Sequence, residues 1–167
     1  MKKILKIALA LSIVVLFVSA CGTKQTAAEK EAIAAGIAQQ VEDQNFTFEA
    51  NYVYPTGYNS MYLSPYYDVK VSKDTVNAYL PYYGRVYVAP SNPQEGGIKF
   101  ISKDFNYQVT KGRKADNWLV NIKINDAGRQ LLLQFEIWGN GNTRLFIQDF
   151  NRQPISFSGR IADEKEK

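Results

Sequence analysis

Tyrosine is the residue type that is most concentrated in one part of this sequence, since ten of the 11 tyrosines lie between positions 52 and 87. A tyrosine ring offers a flat apolar face to a sugar or another flat ligand, and its hydroxyl forms hydrogen bonds. Pro81 and Gly84 force a corner between strands here. Such corners lie at the rim of a sheet, where ligands enter. The pattern predicts a binding rim for a flat polar ligand, or for a partner's exposed strand or loop, made of Tyr79, Tyr82, Tyr83, Arg85 and Tyr87.

The alternative is that these rings fill the end of a hydrophobic core, because tyrosine is also a common residue of half-buried strands. Replacing Tyr82 and Tyr83 together with alanine separates the two hypotheses. If the two rings belong to the core, the double variant should lose much of its stability. If they belong to a binding rim, the variant should fold but no longer bind its ligand. Arg85 and Arg152 pose the same choice, because each could bind a carboxylate or phosphate or form a structural ion pair.

The composition argues against an enzyme. The sequence has no histidine and a single cysteine, so Ser-His-Asp and Cys-His catalysis and zinc sites with His or Cys ligands are excluded. It has no nucleophile elbow, no phosphate-binding glycine loop and no acidic run with EF-hand spacing. We predict no catalytic residues, no cofactor and no metal site. A hydrolase that uses two of the 16 carboxylates stays open, because a sequence cannot give their separation.

The amino terminus has the features of a secretory signal: basic Lys2, Lys3 and Lys6, then an apolar run over 7–18 that is too short to span a membrane. Val18-Ser19-Ala20-Cys21 resembles a bacterial lipobox, in which cleavage before the cysteine is coupled to its acylation. Ordinary cleavage after Ala20 would leave a lone exposed thiol. We predict a membrane anchor at Cys21. Because Gly22 rather than Asp follows, resemblance to Gram-negative sorting signals favours the outer membrane, with the leaflet left open.

The predicted domain organisation is simple. Residues 1–20 form the signal peptide, 21–28 a tether, 29–161 one β-rich domain and 162–167 a polar tail. Residues 1–20 carry three of the 20 basic residues, so 17 basic residues of the mature chain face 16 acidic ones. This balance leaves no basic patch of the kind that binds nucleic acid.

Alternating apolar residues predict eight to ten short antiparallel strands after Phe46. The clearest are 117–125, 130–138 and 143–150, which should pair as consecutive hairpins. Residues 66–80 predict another hairpin with a break at 72–74, followed by a third short strand at 85–89. Residues 51–65 contain several breakers and are expected to be irregular, and a bulge or turn near 102–104 should divide 98–110.

One helix is predicted over 27–43, with Ile33, Ile37 and Val41 on one face. It either packs on the sheet or lies on the membrane, and its mixed charges favour the sheet. Many short strands in one sheet curl, split or close. The predicted fold is therefore mainly β: an antiparallel meander that forms a curled or partly closed, barrel-like sheet, with one N-terminal helix. A half-barrel and a sandwich are the alternatives.

Three motifs carry a resemblance to a known family: Leu80-Pro81-Tyr82-Tyr83-Gly84-Arg85-Val86-Tyr87, then Gly97-Ile98-Lys99-Phe100, then a motif over 151–159, NRQPISFSG. Together they resemble an uncharacterised bacterial lipoprotein family, domain of unknown function 4251, over roughly residues 46–161. The resemblance implies a single-domain envelope lipoprotein, and it implies no catalytic or binding residues.

The expected function is therefore a non-catalytic, lipid-anchored module of the cell envelope that binds a small molecule, a glycan or an envelope protein. A structural or interaction protein of the envelope is the alternative, and a carboxylate-based hydrolase is a third. A closed apolar cavity would favour the first, and a filled core with an exposed apolar patch would favour the second. Two carboxylates about 5 to 10 Å apart in a cleft would favour the third.

Overall fold

The computed structural model of the protein describes residues 25–88, 96–114, 116–126 and 130–162. Within these residues, one helix, α1 (Ala27–Glu42), precedes ten strands. The predicted signal peptide, Cys21 and residues 163–167 of the polar tail lie outside the described residues. The strands are β1 (Phe46–Pro55), β2 (Met61–Tyr62), β3 (Asp68–Val71), β4 (Val76–Pro81), β5 (Gly97–Ser102), β6 (Phe105–Lys111), β7 (Asn117–Ile124), β8 (Leu131–Trp138), β9 (Asn142–Asp149) and β10 (Ile155–Ile161).

Helix α1 begins at a complete capping box, in which the Thr26 hydroxyl accepts from the Glu29 amide and the Glu29 carboxylate accepts from the Thr26 amide. Its buried residues are Ile37 and Val41. The hydroxyl of Tyr107 in β6 donates to the Val41 carbonyl at 2.7 Å. Helix α1 therefore packs on the sheet, as its mixed charges suggested. No helix among the described residues is long and apolar enough to cross a membrane.

The strands form one antiparallel sheet in the order β5-β4-β3-β1-β10-β9-β8-β7-β6, with β2 paired to the second half of β1. The predicted hairpins β7–β8 and β8–β9 are confirmed in antiparallel register. The sheet is nearly closed into a barrel with one seam, between β5 and β6. The mainly β, barrel-like fold with one helix is therefore confirmed.

The seam follows from the direction of the strands. Counting antiparallel pairs outward from β1 in both directions makes β5 and β6 run the same way. Only Lys103 and Asp104 separate them, so β6 continues β5 and changes its partner from β4 to β7 at a bend. At the bend the Ser102 hydroxyl donates to the Asp104 carbonyl at 3.2 Å. The predicted break near 102–104 is this bend.

Strand β1 corrects the expectation that 51–65 is irregular, because it extends to Pro55 and β2 follows at Met61. The pairing of β1 with β10 shifts between Ala50 and Tyr52. This β-bulge places two residues, Asn51 and Tyr52, between the inward-facing Ala50 and Val53. The bulge interrupts the alternation from which a strand is recognised in a sequence.

Aromatic and branched apolar side chains fill the interior of the sheet. Phe135 makes edge-to-face contacts with Phe46 and Phe48, at centroid distances of 5.6 and 5.8 Å. The largest completely buried side chains come from strands on both sides of β1 and include Phe48, Leu80, Phe135, Leu145 and Phe157. The inside of the barrel is thus a packed core.

Candidate functional site

Two segments that are far apart in the sequence meet at the end of the sheet opposite α1. Strand β1 starts directly after α1, and β4 and β9 run in the same direction as β1. The segments that follow β4 and β9 therefore lie together at the far end, which we call the rim. Gln153 N donates to the Arg85 carbonyl at 3.0 Å, and Tyr87 N donates to the Asn151 carbonyl at 2.8 Å.

Tyr82 is a structural residue of this rim. Its ring packs against the core, and its hydroxyl lies 2.8 Å from the Arg85 carbonyl and 3.0 Å from the Gln153 carbonyl. A phenol has a single O–H, so the two carbonyls share one donor. Burial raises the pKa of Tyr82 above its ordinary value. The neutral form, which can donate, is therefore the form that the fold favours.

Arg152 links the same segments from the inside. Its side chain is 7% exposed, its Nη1 donates to the Gly97 carbonyl at 2.9 Å, and its Nε lies 3.7 Å from the Asp149 carboxylate. The guanidinium carbon lies 5.2 Å from the centroid of the Tyr82 ring, which is a cation–π contact. Arg152 therefore forms a structural ion pair, which was one of the two roles predicted for it.

An open groove of about 270 Å³ lies beside this cluster. The rings of Tyr67 and Tyr79 stack along it at a centroid distance of 5.6 Å and an interplanar angle of 15°. The Lys99 ammonium lies 4.7 Å from the centroid of Tyr79. The groove is lined by Tyr67, Tyr79, Pro81, Tyr82, Tyr83, Gly96, Gly97 and Lys99.

Gly97 is required in this groove by close approach of the backbone. A Cβ at this position would lie 2.6 Å from the Leu80 carbonyl oxygen, well inside contact distance. The pairing of Pro81 with Gly97 at the end of β4 and β5 therefore depends on glycine.

The structure brings three of the five predicted rim residues to the groove: Tyr79, Tyr82 and Tyr83. Tyr79 and Tyr83 are each 42% exposed, whereas Tyr82 is half-buried. Arg85 and Tyr87 are exposed but do not line it. A cation at the groove, Lys99, was not among the predicted rim residues. Extending the hairpin pattern to β5 would have found it, because Lys99 lies directly opposite Tyr79.

The third short strand predicted at 85–89 is wrong for the part that the structure describes. Residues 85–88 contain only an isolated bridge between Val86 and Arg152. Strands β3 and β5 occupy both edges of β4, and Arg85 and Tyr87 bond through their backbones to the turn after β9 instead.

A second cleft, at the end of the sheet near α1, contains two carboxylates. It is lined by Asp43, Asn45, Ser72, Lys73 and Asp74. Asp43 accepts from the Gln39 amide at 2.6 Å, and Asp74 accepts from the Ser72 hydroxyl at 2.9 Å. That hydroxyl lowers the pKa of Asp74, whereas a general acid needs a raised pKa. These contacts are typical of turn and cap residues.

Metal ligands are also sparse in the part of the chain that the structure describes. No group of three or more histidine, cysteine, aspartate or glutamate side chains is placed there to hold a metal ion. The polar contacts at the rim come instead from tyrosine hydroxyls, backbone carbonyls, Arg152 and Lys99.

The fold and the rim define a class: a small antiparallel β-barrel-like protein with one packed helix and an aromatic surface groove. The sequence model of the family described as Domain of unknown function (DUF4251) matches residues 28–161. The chain belongs to this family. All three motifs that carried the resemblance meet at the rim, through Tyr82, Gly97 and Gln153.

A solved relative has the same fold. The chain is similar to the crystal structure of a DUF4251 family protein from Bacteroides eggerthii, with a TM-score of 0.61 and 16% sequence identity. The match covers 81% of this chain and 91% of that chain. No curated protein matches the chain significantly.

Proposed function

We propose that this protein is a non-catalytic binding module of the bacterial cell envelope, anchored by lipid at Cys21, whose rim groove binds a sugar ring or another flat polar ligand. The observation that carries the proposal is the stacked pair of Tyr67 and Tyr79 beside Lys99 in an open groove. Flat aromatic faces with a cation and backbone polar groups at their edge suit such a ligand.

Because the interior of the barrel is packed, we expect the ligand to bind at the surface. Phe48, Phe135 and Phe157 are completely buried within the barrel, so a ligand inside it would have to displace core side chains. A ligand in the rim groove displaces only water. Tyr83 offers a partly exposed ring there, and Lys99 favours an acidic or hydroxyl-rich edge of the ligand.

The position of the first described residues supports an orientation in which the groove faces away from the membrane. Gln25, the first described residue, lies beside α1, Asp116 and Asn140, which is the opposite end of the sheet from the rim. An anchor a few residues before Gln25 would hold that end near the lipid and leave the groove facing the aqueous side. A water-soluble ligand or a glycan fits this orientation better than a lipid does.

Glycan and metabolite screening of the purified protein tests the proposal, with affinity measured for each hit. Tyr83→Ala and Lys99→Gln should each weaken binding about tenfold while the free energy of unfolding changes by less than about 1 kcal/mol. Tyr62→Ala is the matched control, because Tyr62 is an exposed tyrosine on a different part of the sheet. If the Tyr83→Ala variant binds a ligand from the screen as tightly as the wild type does, the proposal that the groove is the binding site is refuted.

An exposed aromatic patch favours the second candidate, an interaction protein of the envelope. Tyr52, Tyr54, Met61 and Tyr62 are between 37% and 68% exposed on β1 and β2, and the Tyr52 and Tyr62 rings meet edge to face at 5.3 Å. With a filled core, such a patch suits a protein partner. If this candidate is right, Tyr52→Ser with Tyr62→Ser should abolish crosslinking to an envelope protein while Tyr83→Ala does not. The carboxylate-based hydrolase has no comparable support.

A further inference from the structure

The seam leaves one edge of β6 without a strand. Within the described residues, β6 pairs along its whole length with β7 and with no other strand. In an antiparallel pair, alternate residues direct their amide and carbonyl groups away from the partner. The outer edge of β6 therefore presents a row of backbone donors and acceptors to solvent, and such an edge accepts an added strand.

The exposure of β6 side chains shows where this edge is uncovered. Phe105 and Tyr107 are half-buried, whereas Gln108, Val109, Thr110 and Lys111 are all exposed. Val109 lies opposite the completely buried Val120, so both side chains are on the core-facing side of the sheet. Val109 is nevertheless 40% exposed, and among the described strands only β7 pairs with this part of β6. An added strand would cover it.

Charge indicates the kind of strand that fits. Exposed basic residues cluster at the carboxyl end of this edge, with Lys111 on β6 and Arg113 and Lys114 in the turn that follows, and Lys103 lies at the bend before β6. The exposed acids nearby are Asp104, Asp116 and, next to Val41 at the end of α1, Glu42 and Asp43. Two copies of this edge would bring like charges together, which disfavours self-association. An acidic strand would be attracted.

We propose that the outer edge of β6 binds an extended acidic segment of another protein, which adds to the sheet as a strand. The segment carries an apolar residue that covers Val109 and acidic residues that face Lys111 and the turn after it. This binding surface is separate from the rim groove and does not depend on it.

A ten-residue peptide with valines over one half and glutamates over the other tests the proposal, because Val109 and Lys111 lie on the same face of β6. N-methylation of the amides along one edge keeps the peptide monomeric, and the matched control peptide has lysine in place of glutamate. Fluorescence anisotropy with the full chain in detergent gives the affinities, and hydrogen–deuterium exchange locates the binding. The acidic peptide should bind about tenfold more tightly than the lysine peptide at low salt, with protection confined to β6.

Two matched double variants separate the edge from general surface charge. Lys111→Gln with Arg113→Gln should weaken the acidic peptide about fivefold. Lys70→Gln with Arg144→Gln removes the same charge from β3 and β9, and should change the affinity by less than about twofold. Equal affinity for both peptides, protection elsewhere, or no binding would overturn the proposal. Protection of β6 that rises with protein concentration alone would assign the edge to a second copy instead.

Discussion

Arg152 is the rim side chain whose removal should lower the free energy of unfolding most, because this charged side chain is only 7% exposed to solvent. Arg152→Ala would leave the Gly97 carbonyl without its guanidinium donor and the Asp149 carboxylate without its cation. Losing one partner of a buried ion pair typically costs about 3 to 5 kcal/mol. We expect about 3 kcal/mol in denaturant unfolding.

A second arginine provides the control for this prediction. Arg160 lies 3.9 Å from Glu49, and both side chains are about half exposed, at 47% and 48%. An exposed pair of this kind contributes little, so Arg160→Ala should cost less than about 1 kcal/mol. Equal losses for the two variants would mean that the rim does not depend on Arg152.

Tyr107 gives the fold a dependence on alkaline pH. Burial raises the pKa of Tyr107 above its ordinary value of 10.0. A raised pKa in the folded state means that stability is complete below the unfolded value near 10.0 and decreases as the pH rises above it. The Tyr107 hydroxyl also donates to Val41, so ionisation would remove that hydrogen bond.

Urea unfolding at pH 8 and pH 11 tests the role of this hydroxyl. At pH 8, Tyr107→Phe should cost about 1 kcal/mol for the lost hydrogen bond. Between the two pH values it should lose less stability than the wild type, because it has no buried phenol to ionise. Tyr58→Phe, which changes an exposed ring, should follow the wild-type curve. A Tyr107→Phe curve parallel to that of the wild type would contradict the prediction.

At the scale of the elements, the β7–β8–β9 meander is the most regular part of the sheet, and Trp118 tests its inward face. Trp118 is 7% exposed and lies opposite Ile137 on β8. Trp118→Ala should cost about 3 to 5 kcal/mol. Leu119→Ala, on the outward face and 38% exposed, should cost far less. A Trp118→Ala loss below about 1 kcal/mol in denaturant melts would mean that the face is assigned wrongly.

The strands that the sequence predicted well are those with an unbroken period of two. Val120, Ile122 and Ile124 alternate with polar residues, and all three are completely buried. The second half of β1 was missed because the bulge at Asn51 and Tyr52 breaks that period. A bulge depends on the partner strand, so the local sequence does not predict it.

The site was only half predictable for a similar reason. The tyrosines at the corner after β4 are close in the sequence, and their concentration was visible. The contact of Lys99 with Tyr79 depends on the register of β4 and β5. The contact of Arg152 with Gly97 spans 55 positions of the chain. Pairing of neighbouring strands brings Lys99 to Tyr79, and curling of the sheet brings Arg152 to Gly97.

The whole molecule separates its two ends. Helix α1 covers one end, where Ala34 and Ile37 approach the turn between β8 and β9. The rim closes the other end with Tyr82 and Arg152, and the seam is left open along β6. An anchor on the helix side would therefore leave the groove accessible from the aqueous phase. This orientation depends on the proposed lipid anchor, which is tested separately.

Cys21 is the residue on which the proposed anchor depends, because it follows Val18-Ser19-Ala20 in a motif that resembles a lipobox. The wild type should carry acyl chains on residue 21, detectable by mass spectrometry of the amino-terminal peptide, and should fractionate with membranes. Several acyl chains are needed for stable anchoring, so loss of the acceptor thiol should have a complete effect. Cys21→Ala should leave the protein unacylated and either uncleaved or soluble. Thr23→Ala, a small change outside the motif, should behave as the wild type does. A wild-type protein without lipid would refute the anchor and, with it, the orientation proposed for the groove.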